Sequence, residues 1–248
     1  MCVICYHPYI GTTWVQQIVK LIRLHGEDDK KMIVDSVPWL ESSSVELKLA
    51  NEMPSPRAFK SHSPYHMMAG GPPYTTPAKY IYVVRNPKDI AVSMYHHVKG
   101  IEMFQYSGTW DHFFQLFISG NVECGLWFDH VLEWWKHRDA ENILFLKYED
   151  MKKDHRGAVK KIAKFIGCDL KEEIVDKIVE QSTFESMKNN PATNYQQSKI
   201  KRKPSAEKFM RKGMVGDWMN YFTPEQTAEF DAVYSEKMDS SGLHFDFI

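Results

Sequence analysis

Three groups of residues in this 248-residue chain have types and spacings suited to handling an anion and moving a proton. The first is Gly11-Thr12-Thr13-Trp14, where a glycine loop precedes a stretch of helical periodicity. Such a loop aims backbone N–H groups and a helix dipole at an anion, and threonine hydroxyls can cap the helix or donate to a phosphate. The second is Lys60-x-His62, a cation and a titratable imidazole on alternate residues, hence on one side of an extended segment. The third is Arg85, with Ser93 two helical turns later. Arg211-Lys212-Gly213 adds a basic loop able to close over a ligand. Together they suit a phosphorylated nucleotide and a general base. Each also has a plain structural reading. His62 can be a structural histidine, Arg85 can pair with Asp89, and Arg211-Lys212 can be a solvated turn.

The elements that would position them read as alternating strands and helices. Val3 to Tyr6 is a short apolar run, a buried strand, and Trp14 to Leu24 carries amphipathic helical spacing closed by Gly26. Arg57 to His62 reads as a second strand. Lys79 to Val84 is nearly continuous in apolar residues, as a central parallel strand is, and Pro87 opens the helix after it. Asn142 to Tyr148 is a further buried strand. Helices are expected over Ser43 to Asn51, Trp110 to Ile118, Gly125 to His137, Ala158 to Ile166, Ile174 to Val179 and Pro224 to Met238. Trp127, Phe128, Val131, Leu132 and Trp135 form the apolar face of the third, and Thr223 caps the last with a capping-box residue behind it. Lys188 to Ser205 has no apolar period and reads as a surface segment, with a basic stretch from Lys199 to Lys203. Strands alternating with helices imply one α/β domain over 1–248, a three-layer α/β/α arrangement with a central parallel sheet. In such sheets ligands bind beyond the carboxyl ends of the strands.

Composition narrows the function. Hydrophobic residues make up 43% and aromatics 13%, enough for a sizeable core. A net charge of −1 argues against a global polyanion surface, and no aromatic ladder accompanies the basic stretch, so nucleic acid is not expected. The four cysteines are scattered, and Cys2-x-x-Cys5 lies within a strand without a second pair. No metal site is expected, and a reduced, cytoplasmic setting is the simpler one. No apolar stretch approaches the roughly 20 residues that span a bilayer, so no membrane partner is expected. The chain opens directly inside its first strand, which points to a lost N-terminal segment.

Six motifs in order carry a family resemblance: GTTW (Gly11 to Trp14), KSH (Lys60 to His62), VVRNPKDIAVS (Val83 to Ser93), FLKYEDM (Phe145 to Met151), STFESMKNNP (Ser182 to Pro191) and FMRKGMVGDW (Phe209 to Trp218). Over nearly its whole length the chain resembles the cytosolic sulfotransferases, which use 3′-phosphoadenosine 5′-phosphosulfate (PAPS) and release 3′-phosphoadenosine 5′-phosphate (PAP). The resemblance implies that Gly11, Thr12 and Thr13 hold the 5′ phosphosulfate side and that Trp14 lies against adenine. It implies that Arg85, Ser93, Arg211, Lys212 and Gly213 bind the 3′-phosphate. Tyr148, Ser182, Phe184 and Met187 would line the adenosine pocket, with Phe209 and Met210 nearby. His62 would be the general base and Lys60 a stabiliser of the sulfuryl group in flight. The acceptor would be a small, largely apolar phenol or alcohol, walled by the Met67-Met68 loop and by Met103 to Tyr106.

Four departures stand out. Tyr9 and Ile10 replace a Lys-Ser pair of the family loop, and that lysine contacts the donor's bridging oxygen. An N-terminal segment that helps build the acceptor pocket is missing. Met219 follows GDW where a lysine is frequent. The family's C-terminal dimer motif is altered at Met219, Pro224 and Ala228, which implies a monomer or weak homodimer. The first departure leaves open a PAPS- or PAP-binding pseudoenzyme. A nucleoside-phosphate kinase shares the strand–loop–helix logic, but the Walker lysine and a magnesium carboxylate are not in place.

Overall fold

In a computed structural model of the chain, all residues are described except 8–10, 42–47, 49–50 and 197–199. Tyr9-Ile10, most of the Ser43 to Asn51 helix and the first residue of the Lys199 to Lys203 stretch lie outside the described residues.

Four strands form one parallel sheet: β1 (Cys2–Cys5), β2 (Ala58–Ser61), β3 (Lys79–Val84) and β4 (Ile143–Lys147), in the order β2-β1-β3-β4. Cys5 lies opposite Ser61 on one side and Tyr82 on the other, so the carboxyl ends of the two central strands and β2 come out at one edge. β1 and β3 are buried almost residue for residue, as strands covered on both faces must be. Helices flank the sheet. The chain leaves β1 towards β2 and later returns past β1 to β3, so the strand order reverses at β1. Loops from β1 and β3 therefore diverge and open a crevice at their carboxyl ends.

Gly11, with φ of 93°, turns the chain out of β1 into the helix Thr12–Arg23, whose packed face includes Val15, Ile18, Val19 and Ile22. That helix anchors its far end through Lys20, 2% exposed, which meets Asp28 at 3.2 Å and Asp29 at 2.8 Å. After β3, Asn86 caps the helix Pro87–Gly100 by accepting from the Asp89 N–H at 2.9 Å. β3 and β4 are joined beyond their ends as well. Glu149, buried, accepts from the Asn86 N–H at 2.8 Å, and burial holds its carboxyl above the ordinary range.

Two expectations need correction. On the helix Trp127–Trp135 the buried indoles are Trp127 and Trp134, whereas Leu132 and Trp135 are only partly covered. Trp134 is one residue off the expected stripe because the stripe turns with the helix to meet Tyr65, Tyr80 and Tyr82. The segment after Lys188 is not all surface. Ala192, Thr193 and Asn194 are buried, Ala192 O accepts from the Ile33 N–H at 2.9 Å, and Thr193 Oγ1 donates to Met187 O at 2.7 Å. Side-chain-to-backbone bonds hold this stretch, which leaves no apolar period to read. Further on, Ile101 and Arg202 form an antiparallel bridge that seats residues near 200 against the end of the Pro87–Gly100 helix. Among the described residues, no helix is long and apolar enough to cross a membrane.

The corrected helix face gives a direct test. Trp134→Ala should cost about 3–5 kcal/mol in urea unfolding, the usual loss for a buried large aromatic. Trp135→Ala, at the partly covered position, should cost clearly less.

Candidate active site

A cavity of about 660 Å³ opens at the carboxyl edge of the sheet. It is lined by every residue the sequence assigned to the nucleotide or to catalysis: Gly11, Thr12, Thr13, Trp14, Lys60, His62, Arg85, Ser93, Tyr148, Ser182, Phe184, Met187, Phe209, Met210, Arg211, Lys212 and Gly213. Three regions can be distinguished by chemistry.

One end is aromatic. Trp14 stands edge-on to Tyr148 with ring centroids 5.5 Å apart and to His155 at 5.0 Å. His155 Nε2 lies 2.9 Å from Ser182 Oγ, which itself donates to Ile178 O at 2.6 Å. With its own proton committed to a carbonyl, Ser182 Oγ can only accept from the imidazole. Flat faces with a few polar atoms suit a nucleobase. His155, Lys152 and Thr183 also line this end and were not anticipated. Their order in the chain carries no signal beyond proximity to Tyr148 and Ser182.

The middle is cationic. Arg85, at the end of β3, lies over the Tyr148 ring at 4.6 Å and donates through Nη2 to Asp89 at 3.0 Å and to Met214 O at 2.6 Å. Arg211 pairs with Asp217, and Lys212 Nζ meets Asp217 Oδ1 at 2.5 Å. Gly213 sits at φ 63°, and a Cβ there would stand 2.2 Å from the Phe184 ring, so only glycine lets the loop close on that aromatic. Among the described residues that line the cavity, four N–H groups are buried without a partner: Trp14 Nε1, Trp39 Nε1, Arg85 Nε and Arg211 Nη1. Two of them are guanidinium donors, from opposite elements, bordering the same cavity. That is the bonding capacity an oxyanion satisfies.

Asp89 organises the region. It is 1% exposed and accepts from Arg85 Nη2, from Asn86 Nδ2 at 3.0 Å, from the Gly216 N–H at 2.9 Å and from the Trp218 N–H at 3.0 Å. The Arg85–Asp89 pairing offered by the sequence is therefore real, and it coexists with exposure of Arg85 to the cavity. The bonds to residues 216 and 218 join segments far apart in sequence, and no local pattern announces them.

The third region holds the imidazole. His62 follows the last residue of β2, with its ring edge-on to Tyr6 at 4.6 Å and to Trp39 at 5.0 Å. Lys60 Nζ lies 4.7 Å from the Trp39 ring. His62 Nδ1 faces Tyr6 O at 3.4 Å; a carbonyl only accepts, so this contact places the proton on Nδ1 and leaves Nε2 its lone pair. Burial first, then the charge of Lys60, holds the imidazole well below its ordinary range. The backbone is fixed from behind by His130, whose Nε2 donates to His62 O at 3.0 Å while Nδ1 accepts from the Tyr82 hydroxyl at 2.9 Å. Glu41 accepts from Ser61 Oγ, from Ser63 Oγ at 2.6 Å and from the His62 N–H at 3.4 Å. Beyond His62 the wall turns apolar with Val34, Ile101, Met103 and Phe104. The expected Met67-Met68 wall is not there. Met68 is buried, with Sδ 3.9 Å from Cys5 Sγ and 3.5 Å from Ser61 Oγ, and Met67 faces outward, 64% exposed. Tyr106 packs against the core rather than lining the cavity.

Residues 3–242 match the sulfotransferase domain family. The chain belongs to the sulfotransferase family. This sulfotransferase is 43% identical to sulfotransferase 1C2 of Rattus norvegicus, covering 98% of this chain and 84% of that one. It is 42% identical to the amine sulfotransferase of Oryctolagus cuniculus, covering 96% and 81%. Among solved structures it is similar to a retinol dehydratase in complex with androsterone and inactive cofactor PAP, with a TM-score of 0.87 at 27% identity over 100% of this chain and 83% of that one. It is also similar to mouse sulfotransferase SULT7A1 complexed with PAP, with a TM-score of 0.79 at 33% identity, covering 97% and 84%.

The histidines around the sulfotransferase cavity predict its acid sensitivity. Burial holds His97 at about 3 and His130 at about 4, and His62 also lies low. In the unfolded chain each takes up a proton near its ordinary value of about 6.5. Between those values the unfolded state binds more protons, so stability is full above about pH 6.5 and falls as the pH drops. Urea midpoints should decline from about pH 6.5 to 5, a window above most carboxylate titration. His130→Gln, which keeps a donor and an acceptor, should lessen that slope. An identical slope in the variant would show that His130 is not part of it.

Proposed function

We propose that the chain transfers the sulfuryl group of PAPS to the hydroxyl of a small, largely apolar acceptor, with His62 as general base. The observation that carries this is the pair of buried, unpartnered guanidinium N–H groups, Arg85 Nε and Arg211 Nη1, at the cavity between an aromatic end and a neutral imidazole. These residues fit a 3′-phosphorylated adenosine. Trp14, Tyr148 and Phe184 would take the base, and Arg85, Ser93, Arg211, Lys212 and the Gly213 N–H the 3′-phosphate. Gly11 and Thr12-Thr13 would hold the 5′ side, where the helix Thr12–Arg23 adds its dipole. PAPS supplies the sulfuryl group when bound and leaves as PAP. His62 Nε2 takes the proton from the acceptor hydroxyl as its oxygen bonds to sulfur and the bond from sulfur to the phosphate oxygen breaks. Lys60, on the same side of the extended segment as His62, offsets charge on the sulfuryl oxygens. Val34, Ile101, Met103 and Phe104 favour an apolar acceptor body.

His62→Ala should abolish sulfation of a phenol while PAP still binds with near-normal affinity. Turnover retained in that variant would remove His62 from the base role. Because the imidazole is held well below its ordinary range, kcat/KM should show no imidazole limb between about pH 6 and 8.

One observation favours a second reading, a module that holds PAPS or PAP and transfers weakly: Tyr9-Ile10 stand where the family loop carries Lys-Ser. Losing a cation at a leaving oxygen costs transition-state stabilisation without abolishing nucleotide binding. Tyr9→Lys with Ile10→Ser should then raise kcat at least about tenfold with PAP affinity little changed, on the scale of one oxyanion contact. Unchanged kcat would show that the wild-type loop is already competent.

A further inference from the structure

We propose that Asp217 is a positioning residue for the phosphate end of the cavity: it presents Arg211 and Lys212 to the ligand and so sets the preference for a 3′-phosphorylated nucleotide. The proposal rests on the reading above, that the cationic middle region receives the 3′-phosphate.

Asp217 does not line the cavity and is 2% exposed, behind the two cations that do. Its Oδ2 accepts from Arg211 Nη2, and its Oδ1 accepts from Lys212 Nζ at 2.5 Å and from Asn220 Nδ2 at 2.8 Å. Holding Arg211 by Nη2 leaves Nη1, which is buried and unpartnered. Arg85 is arranged in the same way: Asp89 takes Nη2, and Nε is left without a partner. Each guanidinium is thus gripped by an aspartate through Nη2 and retains another nitrogen for an oxyanion, while Arg211 Nε also lies 3.7 Å from Glu207 Oε2.

The position of Asp217 is itself set by the frame of the fold. The residues on either side of it, Gly216 and Trp218, both donate their backbone N–H to Asp89. Asp89 is in turn fixed to the end of β3 through Arg85 and Asn86. Position therefore passes from the sheet to Asp89, to the backbone around Asp217, and from that carboxylate to Arg211 and Lys212. Two long, flexible cations would otherwise lose rotamer freedom on meeting a phosphate. A fixed carboxylate removes that freedom beforehand. Asp217 also partly neutralises two positive charges, so its contribution to affinity depends on orientation and not on net charge.

That last point gives the test its sign. Calorimetric titrations use PAP and adenosine 5′-monophosphate, which differ in the 3′-phosphate alone, on wild type, Asp217→Asn, Arg211→Ala and the double variant, each checked by circular dichroism. Asp217→Asn should weaken PAP about tenfold, the size of one charge-assisted hydrogen bond, and leave adenosine 5′-monophosphate within about twofold. In the Arg211→Ala background the same change should have a clearly smaller effect, because part of its action runs through Arg211. PAP affinity unchanged or increased in Asp217→Asn would overturn the proposal, since the carboxylate would then be only a counter-charge. Equal weakening of both nucleotides would also overturn it, by assigning Asp217 to general folding. If Asp217→Asn does not fold, Asn220→Ala, which removes one bond to the carboxylate, should shift PAP alone in the same direction, and its failure to do so would count against the proposal. Wild type that shows no preference for PAP would instead defeat the underlying reading of the cationic region.

Discussion

The site depends on one buried carboxylate. Asp89 lies at the first turn of the helix after β3, and its two oxygens gather a guanidinium, a side-chain amide and two backbone N–H groups. A buried charge is costly unless fully bonded, and here every bond also does geometric work. It ties the central strand to the segment bearing Arg211, Lys212 and Gly213, which are more than a hundred residues away in sequence. Without that tie the cationic loop would have no fixed relation to the sheet edge. Lys88, beside it, reinforces the junction: its Nζ is 2.6 Å from Asp231 and 4.3 Å from the Trp218 ring, which holds the C-terminal helix and Trp218 against the same turn.

The imidazole is held by the same kind of economy. His62 has no long element of its own and sits just past a four-residue strand. Its backbone is fixed through His130 and Glu41, and its ring by Tyr6 and Trp39. The contact from Nδ1 to Tyr6 O selects the tautomer that leaves the lone pair on Nε2. Burial keeps the ring neutral, which is the form that can accept a proton. The cationic residues and the imidazole thus share one crevice but draw on separate supports, Asp89 for the first and the β1–β2 junction for the second.

Much of this was legible in the sequence. The apolar runs at β1, β3 and β4, the glycine after β1 and the proline after β3 place the strand ends, and the motifs quoted there all border the cavity. What sequence could not supply were contacts made by single residues across long separations. Nothing near Asp89 signals that residues 216 and 218 will bond to it, and nothing near Trp39 signals a lone bridge to Lys60. Met68 reads like a loop methionine free to wall a pocket, but the turn after β2 folds it under the sheet edge against Cys5. Trp134 and Trp135 are adjacent, and which one is buried depends on how the helix is rotated against Tyr65 and Tyr82, a tertiary choice. The stretch from Ala192 to Asn194 is buried by polar bonds rather than by apolar spacing, so periodicity passes over it.

In the function proposed, the crevice is a preassembled site for a 3′-phosphorylated adenosine, independent of how fast the chain turns over. The most direct measurement is a calorimetric titration of the wild-type chain with PAP at low and at moderate salt. Binding should be saturable, with a single site per chain, and should weaken as salt rises because guanidinium–phosphate contacts carry it. No saturable binding, or binding indifferent to salt, would contradict it.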